Sequence, residues 1–186
     1  MSGDIVRWAS LYMLMLAYRG AFSAFAAAAA EAEPELHTSL VAAATRALYC
    51  VARELNTAAA LSPEAQHWLT AADHVAGVAA RLLTYGAVRP RRTACCELAV
   101  AAAAAAVPAA RLTAAAWGSD PAGARVTDVM GLLEALFTDK AVLRHAAATP
   151  ACGPQLFGAA GHLLGVLGEA AGGGGAAGRE KRAGMA

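Results

Sequence analysis

The sequence predicts an all-α protein, a bundle of seven or eight helices packed around one central apolar helix. Three observations favour this fold. Apolar side chains recur every three or four residues along most of the chain, no segment alternates between polar and apolar residues, and no run of β-branched residues stands out. Of the 186 residues, 54 are alanine, the residue with the highest helix propensity. The length suits a single domain.

The first helix is predicted from about residues 2–4 to Ala29, and it carries more apolar surface than one interface needs. Two neighbouring stripes together cover an arc of about 200°, wider than the ~100° that a surface helix requires. The first stripe contains Ile5, Trp8, Tyr12, Met15 and Phe22, and the second contains Leu11, Leu14, Tyr18 and Phe25. We expect the first stripe to join the core. The second stripe is either buried as well or forms the interface with a partner or a second copy.

Two helices of similar length follow. The second runs from about Glu35 to Leu55 and has one leucine-rich face. The third begins at Ser62-Pro63-Glu64, where a capping hydroxyl precedes a proline and an acid in the first turn. It ends at about Tyr85, since Gly86 fits the left-handed conformation that stops a helix.

The fourth helix is predicted to lie at the centre of the bundle. It spans Ala94 to Ala116 after a cap at Thr93, and it carries no charge between Glu97 and Arg111. A helix that is apolar all round is typical of a buried position. Pro108 lacks a backbone donor, so this segment forms either one kinked helix or two shorter ones.

The next helix is predicted from Val126 to Phe137, after a turn at Trp117 to Pro121. Val142 and Leu143 either continue this helix or begin a short one of their own.

The last helix is predicted from Gln155 to Ala170, after a loop at Thr149 to Pro154. The residues expected to face inward are Leu156, Phe157, Ala160, Leu163, Leu164 and Leu167. The small residues expected to permit close helix packing are Gly158, Gly161, Gly165 and Gly168. The chain then divides into one domain, residues 1–171, and a flexible glycine-rich tail, residues 172–186.

The sequence contains no catalytic or metal-binding motif. The five histidines are scattered, and His67 and His74 lie two helical turns apart, too far to share a metal without a third element. The four cysteines form no C-x-x-C pair. Cys50, Cys95 and Cys96 lie in apolar helical surroundings, where a thiol is unreactive. We therefore expect no enzymatic activity, no cofactor and no metal, and we expect reduced cysteines in a cytoplasmic protein.

Charge and hydropathy argue against two further classes of protein. The formal net charge is +1, which argues against a nucleic-acid-binding protein that works through a basic field. The basic loop Arg89-Pro90-Arg91-Arg92 is either a solvated turn between helices, which we favour, or a binding site for phosphate or an acidic partner. The apolar stretch after Pro154 is shorter than the ~20 residues that a bilayer requires, so we expect no membrane span. Asp4 and Arg19 on either side of the first apolar run argue against a cleaved signal peptide.

Three features in order resemble the poxviral Bcl-2-like immune modulators. The first is an early helix with a tryptophan, Asp4-Ile5-Val6-Arg7-Trp8. The second is the small-residue central helix from Glu97 to Ala116, which runs into Trp117-Gly118. The third is the helix from Val126 to Phe137 with its Leu-Leu-Glu-Ala-Leu-Phe ending. The resemblance covers about Asp4 to His145.

This resemblance implies a Bcl-2-like bundle in the cytoplasm of a host cell, with no enzymatic role. Members of the family bind host signalling proteins, and most inhibit NF-kappaB or interferon signalling. Others bind pro-apoptotic helices in a surface groove and block cell death. Several members dimerise through their first and sixth helices, which favours the second stripe as a partner or dimer interface, Leu11, Leu14, Tyr18 and Phe25. The resemblance assigns a structural role to Trp8, Trp117 and Gly118.

One departure from the family pattern argues against the apoptosis-blocking role. The apoptosis-blocking branch resembles cellular Bcl-2 proteins, which carry Asn-Trp-Gly-Arg where the groove meets its ligand. The corresponding residues here would be Ala116-Trp117-Gly118-Ser119. The arginine that would pair with a ligand aspartate is missing, and Asp120-Pro121 interrupts the helix expected next. An unrelated all-α bacterial binding or accessory protein is the remaining alternative.

Overall fold

The computed structural model describes Ala24, residues 34–85, 92–116 and 127–183. These residues form six helices, α1 (Pro34–Thr57), α2 (Pro63–Tyr85), α3 (Arg92–Ala116), α4 (Thr127–Thr138), α5 (Lys140–Ala148) and α6 (Gly153–Ala183). The all-α prediction is confirmed over this part of the chain, where no residue lies in a strand. A bundle of seven or eight helices is not confirmed, because the first predicted helix lies outside the described residues apart from Ala24.

The predicted central helix, α3, lies at the centre of the bundle. The helices α1 and α6 pack along α3, and α4 and α5 also contact it, whereas α2 packs mainly on α1 and α4. Pro108 lies inside one continuous helix rather than between two. Packing of the buried residues on both sides therefore outweighs the roughly 3 kcal/mol that a proline costs inside a helix. Thr93 is not the cap that we expected, because the helix already begins at Arg92.

The core around α3 is built largely from single methyl groups. The buried alanines of this helix are Ala99, Ala101, Ala102, Ala103, Ala105, Ala106, Ala109 and Ala110. The neighbouring helices supply larger side chains with no exposure to solvent, such as Leu48 of α1, Leu132 of α4 and Leu156 of α6. Because the distance between two packed helices depends on the side chains between them, the alanines allow these neighbours to approach α3 closely.

Side-chain caps set two of the helix boundaries. The Ser62 hydroxyl accepts a hydrogen bond from the backbone N–H of Ala65 at 3.1 Å, so α2 begins where the sequence predicts. The Asp139 carboxylate accepts one from the backbone N–H of Ala141 at 2.8 Å. This cap starts a separate short helix, α5. Val142 and Leu143 therefore belong to a helix of their own and do not continue α4.

The last helix differs from its prediction at both ends. The N–H groups of Cys152 and Gly153 both donate to the Thr149 carbonyl at 3.0 Å, and this tight turn lets α6 begin at Gly153. At the other end α6 extends to Ala183, so the glycine run at residues 172–175 is helical where we expected a flexible tail. Glycine is a poor helix former, which is why the sequence predicts a break there. The division into a domain and a tail stays a prediction.

Gly153→Ala is expected to lower the free energy of unfolding by about 1–3 kcal/mol. A Cβ at this position would lie 2.8 Å from the Ala146 carbonyl oxygen, so the backbone of α5 or α6 would have to shift. Gly161→Ala is the control, because no atom lies within 4 Å of a Cβ there. That change is expected to stabilise the protein by up to about 1 kcal/mol, since alanine is the better helix former. Urea denaturation measures both, and equal effects at the two positions would contradict the turn geometry.

Candidate interaction surface

The residues singled out from the sequence lie outside the described part of the chain. These are the predicted interface residues Leu11, Leu14, Tyr18 and Phe25 and the predicted structural residues Trp8, Trp117 and Gly118. Their roles stay predictions. A different surface, on α6, emerges from the residues that the structure describes.

An apolar side of α6 is open to solvent. Phe157 is 49% exposed and Leu164 is 71% exposed, and together with Tyr49 they are the large hydrophobic residues exposed in the described chain. Phe157 and Leu164 are seven residues apart, so they lie on one side of the helix and about 10.5 Å apart along its axis. We call this surface the α6 face and define it by Phe157, Gly158, Gly161, Leu164, Gly165 and Gly168.

The prediction that Phe157 and Leu164 point inward is wrong. Their immediate neighbours in sequence, Leu156 and Leu163, are buried instead, and Ala160 is half-buried. Around the axis of α6, the apolar residues span a wider arc than the part of the helix surface that contacts the bundle. Because helical periodicity reveals the centre of an apolar face but not the width of the contact, the sequence could not show that these two side chains are left outside.

The prediction of close packing at the glycines of α6 is also wrong. All four of these glycines are exposed, and a Cβ built at Gly158, Gly161, Gly165 or Gly168 meets no atom within 4 Å. Within the described structure no helix lies against this row. The α6 face therefore consists of two large apolar side chains, Phe157 and Leu164, and of glycines that leave open space beside them.

The α6 face carries no formal charge. The chain has no Asp, Glu, Lys or Arg between Arg144 and Glu169. A helix on the surface of a soluble bundle ordinarily carries charged residues on its outer side. Exposed apolar surface without charge is characteristic of a binding surface for another protein or a membrane.

A side chain of α2 forms hydrogen bonds to the start of α4. The Asp73 carboxylate of α2 accepts hydrogen bonds from the backbone N–H groups of Asp128 and Val129, at 3.0 and 3.2 Å. These N–H groups belong to the first turn of α4 and have no partner within their own helix. Asp73 therefore caps a helix more than fifty residues away in sequence, and we assign it a structural role.

Asp73→Ala is expected to lower the free energy of unfolding by about 1–3 kcal/mol. The change removes the acceptor from two partly buried N–H groups at the start of α4. Asp73→Asn is the matched control, because its amide oxygen retains an acceptor and should preserve most of the stability. Thermal and urea denaturation measure the difference, and equal losses for the two variants would argue against the cap.

His74 makes the stability of this region depend on pH. Burial lowers the pKa of His74, and the nearby carboxylate of Asp128 opposes that shift only in part. A histidine whose pKa is lower in the folded state is protonated first in the unfolded state. The contribution of neutral His74 to the free energy of unfolding is therefore fully present above about pH 6.5, the pKa of histidine in the unfolded chain. This contribution is lost as the pH falls from that value through the pKa of the folded state.

We therefore expect His74→Gln to reduce the loss of stability between neutral and mildly acidic pH. His67→Gln on the same helix is the control, because it makes the same substitution at an exposed position. Urea midpoints measured from pH 7.5 to 5 test this. Identical profiles for His74→Gln and the parent protein would contradict it.

The cysteines are free, and three of the four are buried. The Cys96 thiol donates a hydrogen bond to the Val142 carbonyl at 3.4 Å, and burial raises the pKa of this thiol. A thiol with a raised pKa is a poor nucleophile at neutral pH. Among the residues that the structure describes, no three His, Cys, Asp or Glu side chains are placed to hold a metal ion.

The central helix also meets the length and hydropathy criteria of a membrane span. Within the described ranges one stretch does so, Arg92–Ala114. Because most of this stretch is buried inside the bundle, its apolar character is accounted for by its central position.

Comparisons with protein-family models, curated proteins and solved structures give no match. The resemblance to poxviral Bcl-2-like immune modulators therefore stays a prediction from the sequence.

Proposed function

We propose that this chain is a non-enzymatic protein that acts by binding another protein. The observation that carries the proposal is the α6 face, where Phe157 and Leu164 are exposed on an uncharged side of a well-packed bundle. Leaving such side chains in water is unfavourable by roughly 25 cal/mol for each Å² of apolar surface. A partner that covers them would recover this free energy.

The partner class that we favour is a host signalling protein, with inhibition of innate immune signalling of the NF-kappaB type as the outcome. Two features support this choice. The described helices surround an apolar helix rich in small residues, and the motifs from Asp4 to His145 resemble those of viral immune modulators with a Bcl-2-like bundle. The proposal places the protein in the host cytoplasm and allows a homodimer through the second N-terminal stripe.

The alternative on the same fold is an apoptosis inhibitor that binds pro-apoptotic helices in a groove. Ser119 stands where such inhibitors carry an arginine, which is why we rank this function second. A further alternative is an unrelated all-α bacterial binding or accessory protein, which would affect neither pathway.

Reporter assays in transfected cells test the proposal and separate these alternatives. The full chain should reduce an NF-kappaB reporter without protecting cells from an apoptotic stimulus. The double variant Phe157→Glu, Leu164→Glu should lose this inhibition while it keeps its helical circular dichroism spectrum.

Gln66→Glu with Thr70→Glu is the matched control, because it adds the same two charges to an exposed side of α2. Full activity of the Phe157, Leu164 variant would show that the α6 face is not the partner surface. Protection from apoptosis without an effect on the reporter would favour the alternative function. No effect in either assay would contradict both.

A further inference from the structure

A single residue separates α4 from α5. The helix α4 ends at Thr138 and α5 begins at Lys140, so Asp139 alone lies between them. The φ of Asp139 is −79°, close to the helical value, whereas its ψ is 98°. A rotation of about 140° would bring this ψ to the helical value of about −42°. That one torsion would join α4 and α5 into a continuous helix over residues 127–148, about 33 Å long.

The side chain of Asp139 holds this junction in its interrupted form. Its carboxylate accepts a hydrogen bond from the N–H of Ala141 at 2.8 Å, and a capping residue adopts non-helical backbone torsions. In a continuous helix the same N–H would donate to the carbonyl of Phe137, four residues earlier. Aspartate is also a weaker helix former than alanine. The balance between an interrupted and a continuous helix therefore depends on the side chain at position 139.

Beyond the junction, α5 and α6 are held together by a compact turn. The Thr149 hydroxyl donates a hydrogen bond to the His145 carbonyl at 2.7 Å, and the Thr149 carbonyl accepts from the N–H groups of Cys152 and Gly153 at 3.0 Å. We call residues 140–183 the α5–α6 unit. Among the described helices, this unit packs mainly on α3. A change at Asp139 would therefore move both helices together.

The side of the α5–α6 unit that is buried in the bundle is apolar. It includes Val142 and Ala146 of α5 and Leu156 and Leu163 of α6. The Cys96 thiol of α3 donates a hydrogen bond to the Val142 carbonyl at 3.4 Å. A second copy of the chain offers the same groups on its own α3. The contacts of the unit with α3 can therefore be remade between two chains without any new surface.

We propose that the α5–α6 unit exchanges between two copies of this chain, with α4 and α5 joined into one helix at Asp139 in the exchanged dimer. A continuous helix carries the unit away from its own α3 and leaves its apolar side uncovered. The exchanged form is therefore favourable only when a second chain covers that side, so it depends on protein concentration. The cap at Asp139 limits the exchange in the natural chain. The inference is independent of the proposed function, since it does not involve the α6 face.

Refolding of the full chain at high protein concentration, followed by size-exclusion chromatography with light scattering, tests the exchange. Asp139→Ala removes the cap and favours a continuous helix, so it should strengthen dimerisation by about tenfold or more. Asp139→Asn is the matched control and should behave like the parent protein, because its amide oxygen keeps an acceptor for the Ala141 N–H. The Asp139→Ala dimer should separate after dilution only as slowly as the chain unfolds, since the α5–α6 unit must first leave α3. Equal dimer fractions for the two variants, or separation at once on dilution, would overturn the proposal.

Two further changes, each combined with Asp139→Ala, distinguish exchange from contact between two surfaces. Insertion of a Gly-Ser-Gly segment after position 139 lengthens the hinge, so α5 can return to its own α3 and the chain should become monomeric with an unchanged helical circular dichroism spectrum. Phe157→Glu with Leu164→Glu should leave the dimer intact, because these exposed side chains take no part in the exchange. A dimer that survives the insertion, or one that the two charges abolish, would overturn the proposal.

Discussion

Leu156→Ala is expected to lower the free energy of unfolding by about 2–5 kcal/mol. Leu156 has no exposed surface and belongs to the side of α6 that packs on the bundle. Its truncation removes apolar contacts and leaves a cavity that the surrounding helices fill only in part. Urea denaturation followed by circular dichroism measures the loss.

Leu164→Ala is the matched control, since it makes the same substitution two turns further along the same helix. Leu164 is 71% exposed, so this change should alter stability by no more than about 0.5 kcal/mol. The two variants together distinguish the buried side of α6 from the α6 face. A loss at Leu164 as large as that at Leu156 would show that the α6 face is covered in the folded protein.

Ala105→Leu is expected to destabilise the protein by about 1–3 kcal/mol for the opposite reason. Ala105 is fully buried in α3, and the neighbouring helices have packed close to its single methyl group. A leucine would force these helices apart or adopt a strained rotamer. The expected result is a lower midpoint in urea with no loss of helical signal before the transition.

Ala148→Leu on α5 controls for the intrinsic effect of the substitution. Ala148 is exposed, and leucine has nearly the same helix propensity as alanine, so stability should remain within about 0.5 kcal/mol. If Ala105→Leu were equally harmless, the core around α3 would have to be loosely packed. That outcome would contradict the burial of the alanines.

Local signals in the sequence predicted most of the described helices. The Ser62-Pro63-Glu64 start of α2 was confirmed, because a cap depends on residues within one turn of each other. The central position of α3 was also confirmed, because a helix with no charge over the whole stretch between Glu97 and Arg111 is typical of a buried position. The end of α6 was missed, since its glycine run predicts a break that the structure does not contain.

Features that depend on tertiary contacts were not predictable from local patterns. Asp73 caps α4 through the N–H groups of Asp128 and Val129, which follow it by 55 and 56 residues in the sequence. No pattern in the sequence near either partner predicts this contact. The exposure of Phe157 depends on how far the bundle extends around α6, which the spacing of apolar residues does not encode. The interface predicted at Leu14 and Tyr18 lies outside the described residues and stays a prediction.

The alanine-rich core has a consequence for how the protein responds to temperature. The heat capacity of unfolding rises with the apolar area that becomes exposed, by about 0.45 cal/K/mol for each Å². A buried alanine exposes less apolar area on unfolding than a leucine does, so α3 contributes less to this heat capacity than a leucine-rich helix of equal length. A smaller heat capacity change gives a flatter curve of stability against temperature. This bundle is therefore expected to lose stability more gradually on cooling or warming than one of the same size with a leucine core.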